Sequence, residues 1–150
     1  MRLEDRVAVV TGGGNGIGRA IALALANAGA AVVVADIDIQ AANRAANEIG
    51  LHGGRAIPAT MDVTKPADVQ ACVDRTIKEF GKVHILINNA GVEGHRANIW
   101  EADDRDWRRT VEVHLFGNFT CTKAFLPRIM EQGWGRIITM ASIQAKQASP

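Results

Sequence analysis

Thr11-Gly12-Gly13-Gly14-Asn15-Gly16-Ile17-Gly18 is the stretch that decides the fold. Before it runs an apolar, β-branched segment, Val7–Thr11, and after it a helix-length amphipathic one, Gly16–Gly29, with Ile17, Ile21, Leu25 and Ala28 on one face. A strand, a glycine-rich turn and a helix, in that order, bring unpaired amides and the positive end of a helix dipole to the carboxyl end of the strand. That is where an anion binds. Gly12 permits the tight turn, Gly16 offers a backbone without a Cβ for a pyrophosphate to approach, and Gly18 lets the helix pack closely on the strand. The spacing Gly-x3-Gly-x-Gly departs from the G-x-G-x-x-G fingerprint. Nor is it a P-loop, because Arg19 and Ala20 follow Gly18 where Lys and Ser/Thr are needed. A glycine-rich turn without a ligand is the alternative, and the strand–turn–helix context argues against it.

Outward from this turn, strand-like and helix-like runs alternate. Ala31–Asp36 reads as a buried strand and Gln40–Ile49 as an Ala-rich helix ending at Gly50. Arg55–Met61 is a third strand. Thr64 can cap a helix over Lys65–Phe80, with Pro66 tolerated in its first turn and Gly81 stopping it. Val83–Ile87 is a fourth strand. Asp103 or Asp104 starts a long helix to about Glu131, with Trp107, Val111, Leu115, Phe119 and Leu126 inward and Pro127 kinking its end. Arg136–Ala141 is a fifth strand. Five strands alternating with four helices predict an α/β fold, a single Rossmann-like domain over residues 1–150. Its doubly wound parallel sheet has helices on both faces and, from right-handed crossovers, strand order 3-2-1-4-5. The long loop Gly91–Asp103 follows strand four, on the edge where open α/β sheets bind ligands.

Asp36 closes the second strand. A carboxylate there can accept hydrogen bonds from a ribose 2′- and 3′-OH and repels the 2′-phosphate of NADP. Two unit charges ~4 Å apart at an effective dielectric of ~20 interact by about 4 kcal/mol, which selects NAD. Arg19 and Arg44 are the nearby cations that could argue otherwise, and Asn15 is neutral. The alternative is that Asp36 caps the next turn.

The formal net charge of +1, with basic and acidic residues interspersed, excludes the basic stripe of a nucleic-acid binder. The longest apolar runs, around Val32–Ala35 and Ile85–Ile87, are far too short to span a membrane. Met1–Arg6 contains no apolar core of a signal peptide. Cys72 and Cys121 lack metal-ligand spacing, so no metal is expected, and they read as reduced structural thiols of a cytoplasmic protein.

Four motifs now fall in order, each at the end of a predicted strand: Thr11-Gly12-x3-Gly16-Ile17-Gly18, Asp62-Val63, Asn88-Asn89-Ala90-Gly91 and Met140-Ala141-Ser142. On these the chain resembles the short-chain dehydrogenase/reductase family over its whole length. The resemblance implies that Gly12, Asn15, Gly16, Ile17, Gly18, Asp36, Asp62, Val63, Asn89, Ala90 and Gly91 hold NAD. Asp62-Val63 would lie at the adenine and Asn89-Ala90 at the adenosine ribose, while Asn88 braces the sheet. It also implies hydride transfer between the nicotinamide and a small carbonyl or secondary alcohol, of the 3-oxoacyl or sugar/polyol kind, with Ser142 bonding the substrate oxygen. Finally, it implies a homo-oligomer assembled through the long helix, 103–131.

Two departures stand out. His114 occupies the position where the family carries Asn, marking a helix kink that holds a relay water; it is either a proton-relay residue or a helix-lining residue bonded to a neighbour. The family's catalytic Tyr-x-x-x-Lys would fall beyond Pro150, the chain has no tyrosine, and Lys146 has Ser142 four residues before it. The expectation is therefore the N-terminal part of a longer oxidoreductase, inactive or impaired on its own, with a dinucleotide-binding module lacking catalysis as the alternative. A flavodoxin-like or receiver domain fits less well, because a receiver needs acids at the end of strand one, where Thr11 and Gly12 stand. His95 and Arg96 could bind an anionic substrate or be solvated loop residues, and residues 143–146 would face the substrate. Strand five is expected to present an apolar edge that seeks a partner.

Overall fold

In the computed structural model, which describes residues 2–95 and 97–143, a five-stranded parallel sheet forms the middle layer. Its strands are β1 (Val7–Thr11), β2 (Ala31–Asp36), β3 (Arg55–Thr60), β4 (Ile85–Asn88) and β5 (Arg136–Thr139). They lie in the expected order β3-β2-β1-β4-β5. The central strands are β-branched and buried on both sides, as a sheet covered on two faces requires. Val9, Val33 and Leu86 look into one core layer, while Ala8, Val10, Val32, Val34 and Ile87 look into the other. The register pairs Thr11 with Ala35 and Val10 with Ile87, so the carboxyl ends of β2, β1 and β4 come level.

Helices α1 (Gly16–Asn27) and α2 (Ile39–Leu51) cover one face. The expected apolar stripe of α1 is not the one it buries. Gly18, Ala22 and Ala26 face the sheet, while Ile21, Leu25 and Ala28 flank them half-buried and Ile17 is 66% exposed. Small residues win because the helix lies so close to the strand: a Cβ at position 18 would run into the Gly12 carbonyl oxygen and the Asn89 side chain. Helix α2 starts on Asp38, whose carboxylate accepts the Gln40 amide at 2.9 Å. It runs through Gly50, and Gly53, at φ +77°, makes the turn instead.

The other face carries α3 (Pro66–Phe80), α4 (Asp104–Val111) and α5 (Asn118–Met130), the last two joined by a π-helical segment, Glu112–Gly117. Lys65, not Thr64, stands at the start of α3, and the Thr64 hydroxyl donates to Asp62 Oδ1 at 2.7 Å. Gly81, at φ +72°, ends that helix as expected. Asp103 caps α4, its carboxylate accepting the Arg105 and Asp106 amides at 3.0 and 2.9 Å. Pro127 lies inside α5, which continues to Met130.

The inward face of this long helix corrects the expectation. Val113, Gly117, Cys121, Phe125 and Ile129 are buried, whereas Trp107, Leu115 and Phe119 are exposed, Leu126 is 38% exposed, and Val111 is half-buried. Two apolar stripes run along the helix. The stripe containing a glycine and a cysteine packs on the sheet, and the bulkier one is left outside.

Candidate functional site

The carboxyl ends of β1, β2 and β4 and the turn after β3 surround a cleft of about 760 Å³. Gly12 leaves β1 at φ +61° and Gly16 enters α1 at φ +51°, a region that side chains avoid. Nothing described comes within 4 Å of the place a Gly16 Cβ would occupy, so its backbone is open to a ligand. Gly14 is closed in by Ala41 and Ala42 of α2. Its amide donates to Asp36 Oδ2 at 2.9 Å.

Asp36 therefore does two things. Oδ1 accepts the Asp38 amide at 3.0 Å while Oδ2 holds the glycine turn, and the same carboxylate faces the cleft. Each oxygen retains a second lone pair for a hydroxyl. The two cations that could have compromised its selectivity are engaged elsewhere. Arg19 makes a two-point pair with Glu48 of α2, Nε to Oε2 at 2.8 Å and Nη2 to Oε1. Arg44 lies 3.9 Å from Asp38.

Thr11 and Asn89 lock the ends of β1 and β4 together. The buried Thr11 hydroxyl accepts the amides of Asn89 and Ala90 at 3.0 and 2.9 Å. Asn89 Nδ2 donates back to the carbonyls of Thr11 and Gly12 at 3.0 and 3.1 Å. Asn88 sits below, donating to the Thr122 hydroxyl at 3.1 Å, and its buried Oδ1 has no partner among the described residues.

On the β3 side, Asp62 accepts the Thr64 amide at 3.0 Å and lies 3.5 Å from Lys65. Burial works to raise the Asp62 carboxyl, but the bonds from Thr64 and the charge of Lys65 together hold it below its ordinary value. Val63 is buried against Gly117, where a Cβ would come within 2.7 Å of it.

All eleven expected cofactor contacts, from Gly12 to Gly91, line this one cleft. Ser142 and His114 are not among its lining residues. Ser142 is exposed just past β5, where Met140 donates its amide to the Asn88 carbonyl at 2.9 Å. His114 lies in the π-helical segment with Nε2 at 2.8 Å from the Val92 oxygen and 3.2 Å from its nitrogen. Its ring is pressed so closely on Gly91 that a Cβ there would sit 2.6 Å away. The His95 amide donates to Asp106. Arg96 and residues 144–150, including Lys146, lie outside the described residues.

Thr11 opens the glycine motif, but the motif reading gave its side chain no role. A strand-end hydroxyl taking two amides becomes legible only once β4 lies alongside. Arg109 and Val113, carried in by the long helix, were also not anticipated as lining residues. Cys72 and Cys121 are free, and burial pushes both thiols up to about 12. No cluster of metal-ligating side chains is present among the described residues. No described helix is long and apolar enough to cross a membrane.

A family model described as short chain dehydrogenase matches residues 6–150. The chain belongs to the short-chain dehydrogenase family. It is 38% identical over 146 residues to the 7alpha-hydroxysteroid dehydrogenase of Escherichia coli, spanning 97% of this chain and 56% of that one. It is 37% identical over 142 residues to the cyclohexanol dehydrogenase of an Acinetobacter species, spanning 95% and 57%. Among solved structures, an NAD+-bound xylitol dehydrogenase matches with a TM-score of 0.96 at 32% identity, covering 100% of this chain and 58% of that one. A 7 alpha-hydroxysteroid dehydrogenase complexed with NADH and 7-oxo glycochenodeoxycholic acid matches with a TM-score of 0.93 at 38% identity, covering 99% and 57%. The doubly wound sheet is thus the Rossmann fold of this family. The chain spans less than three-fifths of the length of these relatives.

Proposed function

We propose that this chain binds NAD(H) along the carboxyl edge of its sheet, as the cofactor domain of an oxidoreductase acting on a small carbonyl or secondary alcohol. The observation that carries the reading is the meeting, in one cleft, of the bare Gly12–Gly18 backbone and the Asp36 carboxylate that holds it. The amides at the start of α1 would take the diphosphate, and Asp36 would accept the adenosine ribose hydroxyls and repel a 2′-phosphate. Asn89 and Ala90, fixed by Thr11, would form the wall beside that ribose. Asp62 and Val63 would meet the adenine. The residues fit the cofactor, which when bound supplies hydride exchange at C4 of its nicotinamide.

Ser142, at the end of β5, would hydrogen-bond the substrate oxygen and stabilise its developing charge. The 150 residues contain no tyrosine to act as the acid. Loss of a positioned general acid costs about 10²–10⁴ in rate, so the chain alone should bind cofactor yet turn over poorly.

The bulky stripe left outside the long helix, with Trp107, Leu115, Phe116 and Phe119 each more than half exposed, would pack against a second copy of the chain. Sedimentation at micromolar concentration should show a dimer or larger species, and a clean monomer would count against that packing. Two buried, unpaired thiols suit the cytoplasm.

Calorimetric titration tests the cofactor reading. NAD should bind at least about tenfold more tightly than NADP, a difference of about 1.4 kcal/mol. A folded sample without affinity for NAD would overturn it.

A further inference from the structure

The cleft has one basic side chain among its described lining residues, Arg109 of α4, and no role assigned so far uses it. Among the described residues it has no hydrogen bond or ion pair. Of the lining carboxylates, Asp36 and Asp62 are each committed to a neighbouring turn, and Glu112 lies beside Arg109 on the same long helix.

The position of Arg109 follows from the layout of the sheet. A dinucleotide with its diphosphate on the turn after β1 and a ribose at the end of β2 continues in the direction β1 to β2 to β3. The next surface it meets is the turn after β3, where the buried side chains of Met61 and Val63 share a core cluster with Val113. These make an apolar slot suited to the flat face of a base. Arg109 lies four residues before Val113 and lines the same cleft, one helical turn further out. A planar guanidinium at the mouth of such a slot has a particular use: it stacks on a π face, which an ammonium does poorly.

We infer that Arg109 is a specificity-determining residue that closes the slot, laying its guanidinium over the outer face of the adenine. The inference rests on the cofactor reading above and adds to it what recognises the base. It makes α4 part of the cofactor site, and it makes affinity depend on an aromatic ring rather than on phosphate charge at this point.

The test uses the full chain with Arg109→Ala and Arg109→Lys, titrated with NAD and with ADP-ribose at low and high salt. Arg109→Ala should raise the Kd of both ligands about 3- to 20-fold. Arg109→Lys should recover only part of the loss. The loss should persist at high salt, and the unfolding temperature should hold, since the side chain is exposed. Kd values within twofold of wild type would overturn the inference while leaving the cofactor reading intact. A loss that vanishes at high salt would also overturn it, because it would mark pairing with the diphosphate. A wild-type chain that binds neither ligand would remove the cofactor reading itself.

Discussion

The two ends of the same parallel sheet are built in opposite ways. At the carboxyl end the chain leaves β1 through a glycine turn, and the side chains of Thr11, Asp36 and Asn89 are spent on holding backbone in place. At the amino end the strands are closed over by bulk. Trp134 lies with the Arg6 guanidinium 4.3 Å from its ring centroid and that of Arg136 at 5.0 Å. The buried His84 ring is 6.2 Å away. His84 also exchanges hydrogen bonds with β1, its Nδ1 accepting the Val7 amide at 3.2 Å and its own amide donating to the Val7 carbonyl at 2.9 Å. One end keeps amides open for a ligand and the other satisfies them internally. The difference is the physical content of the rule that open α/β sheets bind at their carboxyl edge.

Three substitutions or conditions probe that contrast. Gly18→Val should have the largest effect. Its side chain would collide with the Gly12 carbonyl and Asn89, and NAD affinity should fall by at least about 100-fold, a cost of about 2.7 kcal/mol. Retained affinity would mean the turn is not the anion site.

Thr11→Val comes next. It removes a buried hydroxyl and orphans the Asn89 and Ala90 amides, each worth about 1–3 kcal/mol when left unsatisfied. Urea unfolding should show a loss of about 2–4 kcal/mol, accompanied by weaker NAD binding. A neutral result would show that the two strand ends hold together without it.

The smallest effect belongs to the amino end. Burial first, then the charges of Arg6 and Lys82, hold His84 below its ordinary value. The unfolded chain therefore takes up the proton more readily than the native one. The stability His84 contributes is complete above about pH 6.5 and is lost as the pH falls from there towards the lowered native value. The slope is at most about 1.36 kcal/mol per pH unit for one proton. Unfolding free energies measured across that range for wild type and His84→Gln should differ in slope. Identical slopes would remove His84 from the account.

Much of this contrast was legible from residues alone. The glycine turn, the acid closing β2 and the alternation of elements led to the strand order and to Gly12, Gly16, Gly18 and Asp36, and the resemblance to the family supplied the rest of the eleven residues that line one cleft. These are local signals: each lies within a strand and the turn that follows it. What escaped was tertiary. Thr11 meets its partners 78 and 79 positions away, a distance no local pattern encodes. In the long helix the stripe through Gly117 and Cys121 reads as the weaker hydrophobic face, yet small residues are what close approach to the sheet demands, as Gly18 and Ala22 show again in α1. Thr64 looked like a helix cap and instead serves Asp62.

The central claim, that the glycine turn and Asp36 together select NAD, is tested most directly by the ratio of NADP to NAD dissociation constants in wild type and in Asp36→Asn. The substitution removes the charge and keeps one of the two acceptors, that for the Gly14 amide, while the Asp38 amide loses its partner. The account predicts a ratio of at least about ten in wild type, falling towards one in the variant. A wild-type chain that holds NADP as tightly as NAD, or a ratio that Asp36→Asn leaves unchanged, would contradict it.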